Sequence, residues 1–283
     1  MKSTLKNIKK SIKGNLKFLR LGYVRHRYAF SADQLQNFLQ QLGIKNGDVL
    51  LVHSSMSGFE AFDGKVTDII SVLQKSVGTE GTLLMPTIPF MGTAIEYMQS
   101  GEIFDVKRTP SRMGIISEFF RRMPEVKRSV HPTHAVAAWG ARVNDMLLNH
   151  DKCETPCGRQ SPYGKLLDFN GKILLLGTGI RALTFYHTLE EIFEKEIPVS
   201  PLTDKKYLMQ SKTETGELVT TKTRLFNPAV SKRRNIDPLI PELKSMGYWR
   251  EYRVGTLSAI LLDANEILRV MMKMCNNGQY CYD

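Results

Sequence analysis

Hydrophobic positions along this chain alternate between a helical and an extended period. Leu35, Phe38, Leu39 and Leu42 recur at helical spacing behind Ser31, a natural N-cap, and Gly43 supplies the stop. Asp48 leads into DVLLVH, apolar throughout, which predicts a strand buried on both faces. The helical period returns with Val66, Ile69, Ile70, Leu73 and Val77, between a start at Asp63 or Gly64 and a stop at Gly78. TLLMP from Thr82 predicts a second buried strand. Strand, helix and strand make one crossover unit, with His53, Ser54, Ser55 and Ser57 where its first strand ends. Open α/β sheets bind their ligands at that edge.

Residues 86–108 carry Pro86, Pro89, Gly92 and Gly101 with little periodicity and predict a long functional or mobile loop. Thr109 to Gly114 then predicts a helix start, capped by Thr109 or Ser111 with Pro110 in the first turn. Free N–H groups there suit an anion and Arg112 adds a fixed charge; a plain capped helix is the alternative. AVAAWG from Ala135 predicts a strand entered through His131, Pro132, Thr133 and His134, with His131 held extended by the proline. Either histidine is a candidate ligand or base, or a buried residue satisfied by backbone groups. Ser161-Pro162 opens a short helix through Leu167. Two strands flank the turn Thr215-Gly216, over 205–212 and 217–224. Asp237-Pro238 opens a helix, WREYRV reads as a strand, and Asp263 caps a terminal helix bearing Ile267, Leu268, Val270 and Met271. There is no internal repeat.

Composition adds a sizeable core, since 42% of the 283 residues are hydrophobic. Charge adds an asymmetry. The first thirty residues carry six lysines and three arginines and no acid, which leaves 30 basic against 28 acidic groups in the rest. Leu5, Ile8, Ile12, Leu16 and Leu19 stand at helical spacing among those lysines, so residues 1–30 read as an amphipathic cationic arm ahead of a domain over 31–283. Such an arm can dock on an anionic membrane or a polyanion. Equally, its stripe can pack on the body or on a second subunit of a homodimer. No nucleic-acid partner is expected. No apolar run reaches the ~18 residues of a membrane span and the N-terminus lacks the apolar core of a secretory signal, so a cytoplasmic location is expected. Four cysteines make no disulfide framework; Cys153 and Cys157 behind His150 fit no standard zinc spacing, and free thiols with no metal are expected.

Candidate chemistry concentrates in KILLLGTGIRALTFYHTLEE. A buried strand over 172–177 runs into a glycine turn, and Thr184 opens a helix that stacks His187 and Glu190 on one face, three positions apart. A histidine titrating near neutrality beside a carboxylate that fixes its tautomer can take a proton from a weak nucleophile; an ordinary surface pair is the alternative. Gly177, Gly179 and Ala182, with Glu196 beyond, also satisfy a dinucleotide fingerprint, but no alternation of parallel strands and helices surrounds it.

Taken in order, VHSSM at 52–56, GTLLMPT at 81–87, TPSRMGIISEFFR at 109–121, RSVHPTHAVAAWG at 128–140, SPYGKLL at 161–167, ILLLGTG followed by TFYHTLEE, and VGTLSA at 254–259 resemble the antibiotic N-acetyltransferase family typified by aminoglycoside 3-N-acetyltransferases. The resemblance implies a three-layer α/β/α fold with a mixed sheet, unlike the commoner acetyltransferase fold, and transfer of an acetyl group from acetyl-CoA to a small-molecule amine. It places the reactive histidine at His187 and its companion acid at Glu190. Coenzyme contacts fall on His53, Ser54 and Ser55 and on Thr109, Ser111, Arg112, Met113 and Gly114. Ala135 departs from the serine that related sequences tend to carry there. A polycationic aminoglycoside calls for many carboxylates, so the near-neutral body with its basic arm suits an amino sugar carried on a nucleotide or lipid phosphate better, and that acceptor stays open beside the aminoglycoside. From a different class, the arm alone would make a polyanion-binding module.

Overall fold

The computed structural model describes residues 19–283. Its strands are Val49–Ser54 (β1), Thr82–Pro86 (β2), Phe104–Asp105 (β3), Lys127–Arg128 (β4), Val136–Gly140 (β5), Lys172–Leu176 (β6), Tyr207–Lys212 (β7), Leu218–Thr223 (β8), Arg250–Val254 (β9) and Leu257–Asp263 (β10). Seven build one mixed sheet in the order β4-β5-β2-β1-β6-β10-β9, and β3-β7-β8 form a small second sheet. At the centre β1 runs parallel to both β2 and β6, while β5 and β10 join antiparallel on either side.

Alternation along the central strands sends side chains to two separate cores. Leu51, Leu84, Leu175 and Leu262 enter one, with Leu189, Leu243, Ile267 and Met271 from the helices above. Leu50, Val52, Leu83, Leu174 and Leu176 enter the other, against Leu35, Leu39, Ile69 and Leu73. Hydrophobic runs without alternation in the sequence thus become a sheet covered on both faces, each fully buried leucine contributing roughly 1.5–3 kcal/mol. The layers are α/β/α.

Helices Ala32–Leu42 (α1) and Val66–Val77 (α2) cover one face. Ser31 caps α1 in a reciprocal box with Gln34, and Gly43 ends it. Ala94–Gln99 (α3) and β3 lie inside the segment read as a structureless loop: Thr93 and Glu96 close a capping box around a helix too short to show a period. Ile115–Phe120 (α4) begins later than expected. Its N-cap is Gly114, not Thr109 or Ser111. Val143–Leu147 (α5) follows β5. Tyr186–Ile192 (α6), Pro228–Arg233 (α7), Leu239–Ser245 (α8) and Ala264–Asn276 (α9) complete the chain, with Asp263 capping α9 as expected. LSAILLD, which the sequence reading passed over, is β10, pairing with β9 and β6.

Residues 19–28 are helical, with Val24 buried and Arg20 ion-paired to Glu60. Leu19, the last residue of the arm's apolar stripe, is exposed; Leu5, Ile8, Ile12 and Leu16 lie outside the described residues. No helix among the described residues is long and apolar enough to cross a membrane.

Candidate active site

Because β1 and β6 are parallel neighbours, with His53 opposite Leu175 and Ser54 opposite Leu176, their exits open at the same edge of the sheet. The exits touch through backbone. A Cβ added at Gly58 would stand 2.7 Å from the Gly177 Cα, and Gly177 itself has φ +70°, so neither position has room for a side chain. Ser55 N donates to Leu176 O at 3.0 Å and Gly177 N to Ser258 O at 2.7 Å, fixing both turns to the sheet. Gly177, the first glycine of the dinucleotide-like pattern, therefore serves this contact, while a Cβ at Gly179 would meet nothing within 4 Å; a 3₁₀ turn at Ile180–Ala182 follows, leading into α6.

On α6 the expected pair forms. His187 Nδ1 lies 2.7 Å from Glu190 Oε2, and Glu190 has no solvent exposure. The other carboxylate oxygen, Oε1, accepts from Arg234 Nε at 2.7 Å and from the Tyr282 hydroxyl. Burial alone would push Glu190 up, but His187 and Arg234 outweigh it and hold the carboxyl below its ordinary range. An ionised carboxylate only accepts, so Nδ1 carries the proton and Nε2 is the free lone pair. Burial lowers the His187 pKa, with Glu190 opposing, so the ring is a neutral base at pH 7. A fifth of its side chain stays exposed.

Other rings surround this base. Phe226 lies over His187 with centroids 4.2 Å apart, and His134 meets it edge-on at 6.1 Å. His53, assigned to coenzyme contact from the sequence, is buried beside His187. Burial, then the charge of His187, lowers its pKa to about 3, and its Nε2 has no hydrogen-bond partner within the protein. Burial also holds His134 well below the ordinary range.

The remaining coenzyme candidates come together at the same edge. Ser54 and Ser55 are part-exposed, Ser55 Oγ bonds Ser57 Oγ at 2.8 Å, and a Cβ at Gly114 would lie 3.9 Å from the Ser54 carbonyl oxygen. Arg112 is exposed and its backbone N–H donates to Ile88 O at 2.8 Å. Thr109 and Ser111 are committed to the loop itself. Thr109 Oγ1 accepts from Asp105 N at 2.8 Å, and buried Ser111 Oγ bonds Ser117 Oγ at 3.0 Å and accepts from Met113 N at 3.2 Å. That inward bonding is why neither caps α4.

His131 leaves the candidate list. It stands just before a turn at residues 132–134 that leads into β5; its Nδ1 accepts from the N–H groups of Thr133 and His134 at 3.3 and 3.1 Å, and its ring stacks on His150. His150 in turn bonds Ser129 Oγ and Pro156 O, away from the thiols. Cys153, Cys157, Cys275 and Cys281 are free. Ala135 is wholly buried and works through its carbonyl, which accepts from Thr87 N and Oγ1. Arg234, Tyr282 and Phe226 were missed by the sequence reading. A buried carboxylate demands a cation, but nothing in the run Lys232, Arg233, Arg234 marks which residue supplies it.

Glu191, next in the chain, contrasts with its neighbour. Thr155 Oγ1 and Cys157 N donate to it, and burial pushes its pKa up to about 8 despite those bonds. A carboxyl raised in the folded state binds a proton that the unfolded chain releases, so its contribution is fully present below its ordinary pKa and lost as pH rises through about 8. The buried histidines, neutral in the folded state, act in the opposite direction below about pH 7.5, where the unfolded chain still protonates them. We expect Glu191→Gln to gain melting temperature relative to wild type as pH rises towards about 8, read by calorimetry as the difference between the two proteins; a difference that does not change with pH counts against a protonated Glu191.

Fold and dyad together define an α/β/α protein with a base-equipped site at the carboxyl edge of its parallel strands. A family model described as aminoglycoside 3-N-acetyltransferase matches residues 51–276, and the chain belongs to that family. It is 36% identical over 169 residues to the SPbeta prophage-derived aminoglycoside N(3')-acetyltransferase-like protein YokD of Bacillus subtilis (strain 168), covering 54% of this chain and 61% of that one. Aminoglycoside N(3)-acetyltransferase IV of Salmonella sp is 32% identical over 166 residues, covering 58% and 60%. The chain thus spans about three fifths of the length of these curated relatives. The crystal structure of YokD superposes with a TM-score of 0.73 at 28% identity, covering 90% of this chain and 97% of that one. AAC-IIIb in a binary complex with CoASH shares the fold, with a TM-score of 0.74 at 23% identity over 90% and 99% of the two chains.

Proposed function

We propose that the protein transfers an acetyl group from acetyl-CoA to a primary amine of an aminoglycoside or a related amino sugar, with His187 as general base. The observation that carries this is the unprotonated Nε2 of a part-exposed His187 whose Nδ1–H is held by a buried carboxylate. An alkyl amine is mostly protonated at pH 7 and attacks only as the free base. His187 Nε2 takes the amine proton as nitrogen bonds to the thioester carbon; the carbon–sulfur bond then breaks, the imidazolium returns its proton to the leaving sulfur, and CoA departs as the free thiol. Glu190 stabilises the imidazolium formed in between. The adjacent segments 54–55 and 109–114 are the surface we assign to the coenzyme, and the CoASH complex of AAC-IIIb supports that use of the fold.

Charge favours a second acceptor class, an amino sugar on a nucleotide or lipid phosphate. Glu190 pairs with Arg234, Glu194 with Arg224, Asp237 with Arg181 and Glu154 with Lys206, so the charge of these four acids is already met by a cation and is less available to a polycation. A panel of aminoglycosides and nucleotide-linked amino sugars with acetyl-CoA, reading thiol release, separates the two. One thiol should appear per amine acetylated. Thiol release no faster than buffer hydrolysis with every amine, together with no thermal shift from saturating acetyl-CoA, would sink the reading.

A further inference from the structure

A wholly buried carboxylate keeps its charge only where donors meet both oxygens. At Glu190, His187 occupies Oε2, and the two donors on Oε1 come from far along the chain, Arg234 44 residues later and Tyr282 92 residues later. Tyr282 arrives on the segment that follows α9. Asn235 N donates to Cys281 O and Asp283 N to Arg233 O, both at 2.9 Å, and Arg234 and Tyr282 pair as an antiparallel bridge. Each Oε1 donor is therefore held in place by the backbone of the other. The family match ends at residue 276, so Tyr282 lies outside the matched residues.

We propose that Tyr282 is a positioning residue of the His187–Glu190 pair: its hydroxyl, donating to Glu190 Oε1, draws charge from the carboxylate and sets how firmly Oε2 holds the His187 Nδ1–H. The proposal rests on His187 being the base. Arg234 supplies charge on the same oxygen but cannot be tuned by a neighbour, being a permanent cation; the phenol is neutral and shares density through one hydrogen bond. His53, His134 and Arg234 face His187, while Glu191, Cys157 and Cys281 flank Glu190, with Tyr186 beside it. Removing one oxygen atom from Tyr282 leaves all of these groups in place and, apart from Glu190, alters the hydroxyl contact of Tyr186 alone.

Tyr282→Phe keeps the ring and deletes the donor. With less charge withdrawn, Oε2 pulls harder on the imidazolium, so the His187 ring titration, followed by NMR and assigned by its loss in His187→Ala, should move to higher pH. The acid limb of the kcat/KM profile should move with it, kcat should fall about three- to tenfold, and KM for acetyl-CoA should hold. Tyr280→Phe, a tail tyrosine packed on the core with no such bond, is the control and should match wild type in all of these. A His187 titration and acid limb that stay at the wild-type position in Tyr282→Phe overturn the proposal, even if activity drops together with melting temperature, because that is a packing defect. Full activity in His187→Ala alongside a moved His187 titration in Tyr282→Phe would instead remove the base assignment and support the Tyr282 linkage.

Discussion

Replacing His187 by alanine should cost about 10²- to 10⁴-fold in turnover, roughly 3–5 kcal/mol of barrier, while acetyl-CoA affinity stays near wild type. The affinity expectation follows from placement: the segments assigned to the coenzyme lie at 54–55 and 109–114, and the base is on α6. Raising the pH should restore part of the rate by supplying free amine. The loss of activity that comes from protonating His187 should set in only below the ordinary histidine range, because burial lowers its pKa. Glu190→Gln should cost nearly as much, for a reason the helix spacing did not reveal. Arg234 and Tyr282 both donate to Oε1, so the amide oxygen of glutamine must face them and its NH₂ must face His187 Nδ1. That geometry makes Nδ1 the acceptor and moves the proton to Nε2, which removes the lone pair. Turnover against pH for the three proteins, with folding checked by circular dichroism, decides it; wild-type turnover at pH 7 by folded His187→Ala would pass the role to His134.

The largest stability loss is expected at Arg128. This guanidinium is buried, forms no ion pair among the described residues and lies over the Phe104 ring; burial, then the charge of Arg121, lowers its pKa to about 9 against the opposing charges of Glu118 and Asp105. Its protons go to backbone and hydroxyl oxygens: Thr87 Oγ1 at 2.9 Å, Thr87 O at 2.5 Å, Thr109 O at 2.6 Å and Val106 O at 3.3 Å. It thereby ties the exit of β2 to the segment after β3. Arg128→Met fills the volume and leaves three buried carbonyls without that donor, at a cost of about 3–5 kcal/mol. Arg128→Lys should recover little, since one ammonium cannot reach the Thr87, Val106 and Thr109 oxygens together as the planar guanidinium does. Urea midpoints at constant m-value measure both. A Met variant within about 1 kcal/mol of wild type would show that water or backbone movement satisfies the carbonyls.

What could be read from residues alone followed how local the determining force is. β1, β2 and β6 were legible because burial on both faces writes an unbroken apolar run, and α1 because Ser31, Gln34 and Gly43 mark its ends. His187 and Glu190 were legible because three positions on a helix make neighbours. Short elements were not: α3 has six residues and β3 two, below the length at which a period can be counted, although the Thr93–Glu96 box was there to be seen. Ser111 was misplaced because its competing partner, Ser117, becomes a neighbour only once the loop folds inward. Arg128 and Tyr282 act across 41 and 92 residues, and no sequence spacing encodes such a meeting.

The glycine contact between the exits of β1 and β6 has a consequence for how this protein can diversify. With Gly58 and Gly177 in backbone contact, the distance between the His53 strand and the loop that delivers His187 is set by two main chains and not by the fit of side chains. Side chains drift as a core is repacked; main chains in contact do not. The proton-handling geometry proposed for His187 therefore has a fixed tolerance, independent of the side chains that line the acceptor's approach. On that proposal, selection for a new amine can rewrite the approach and keep the same base.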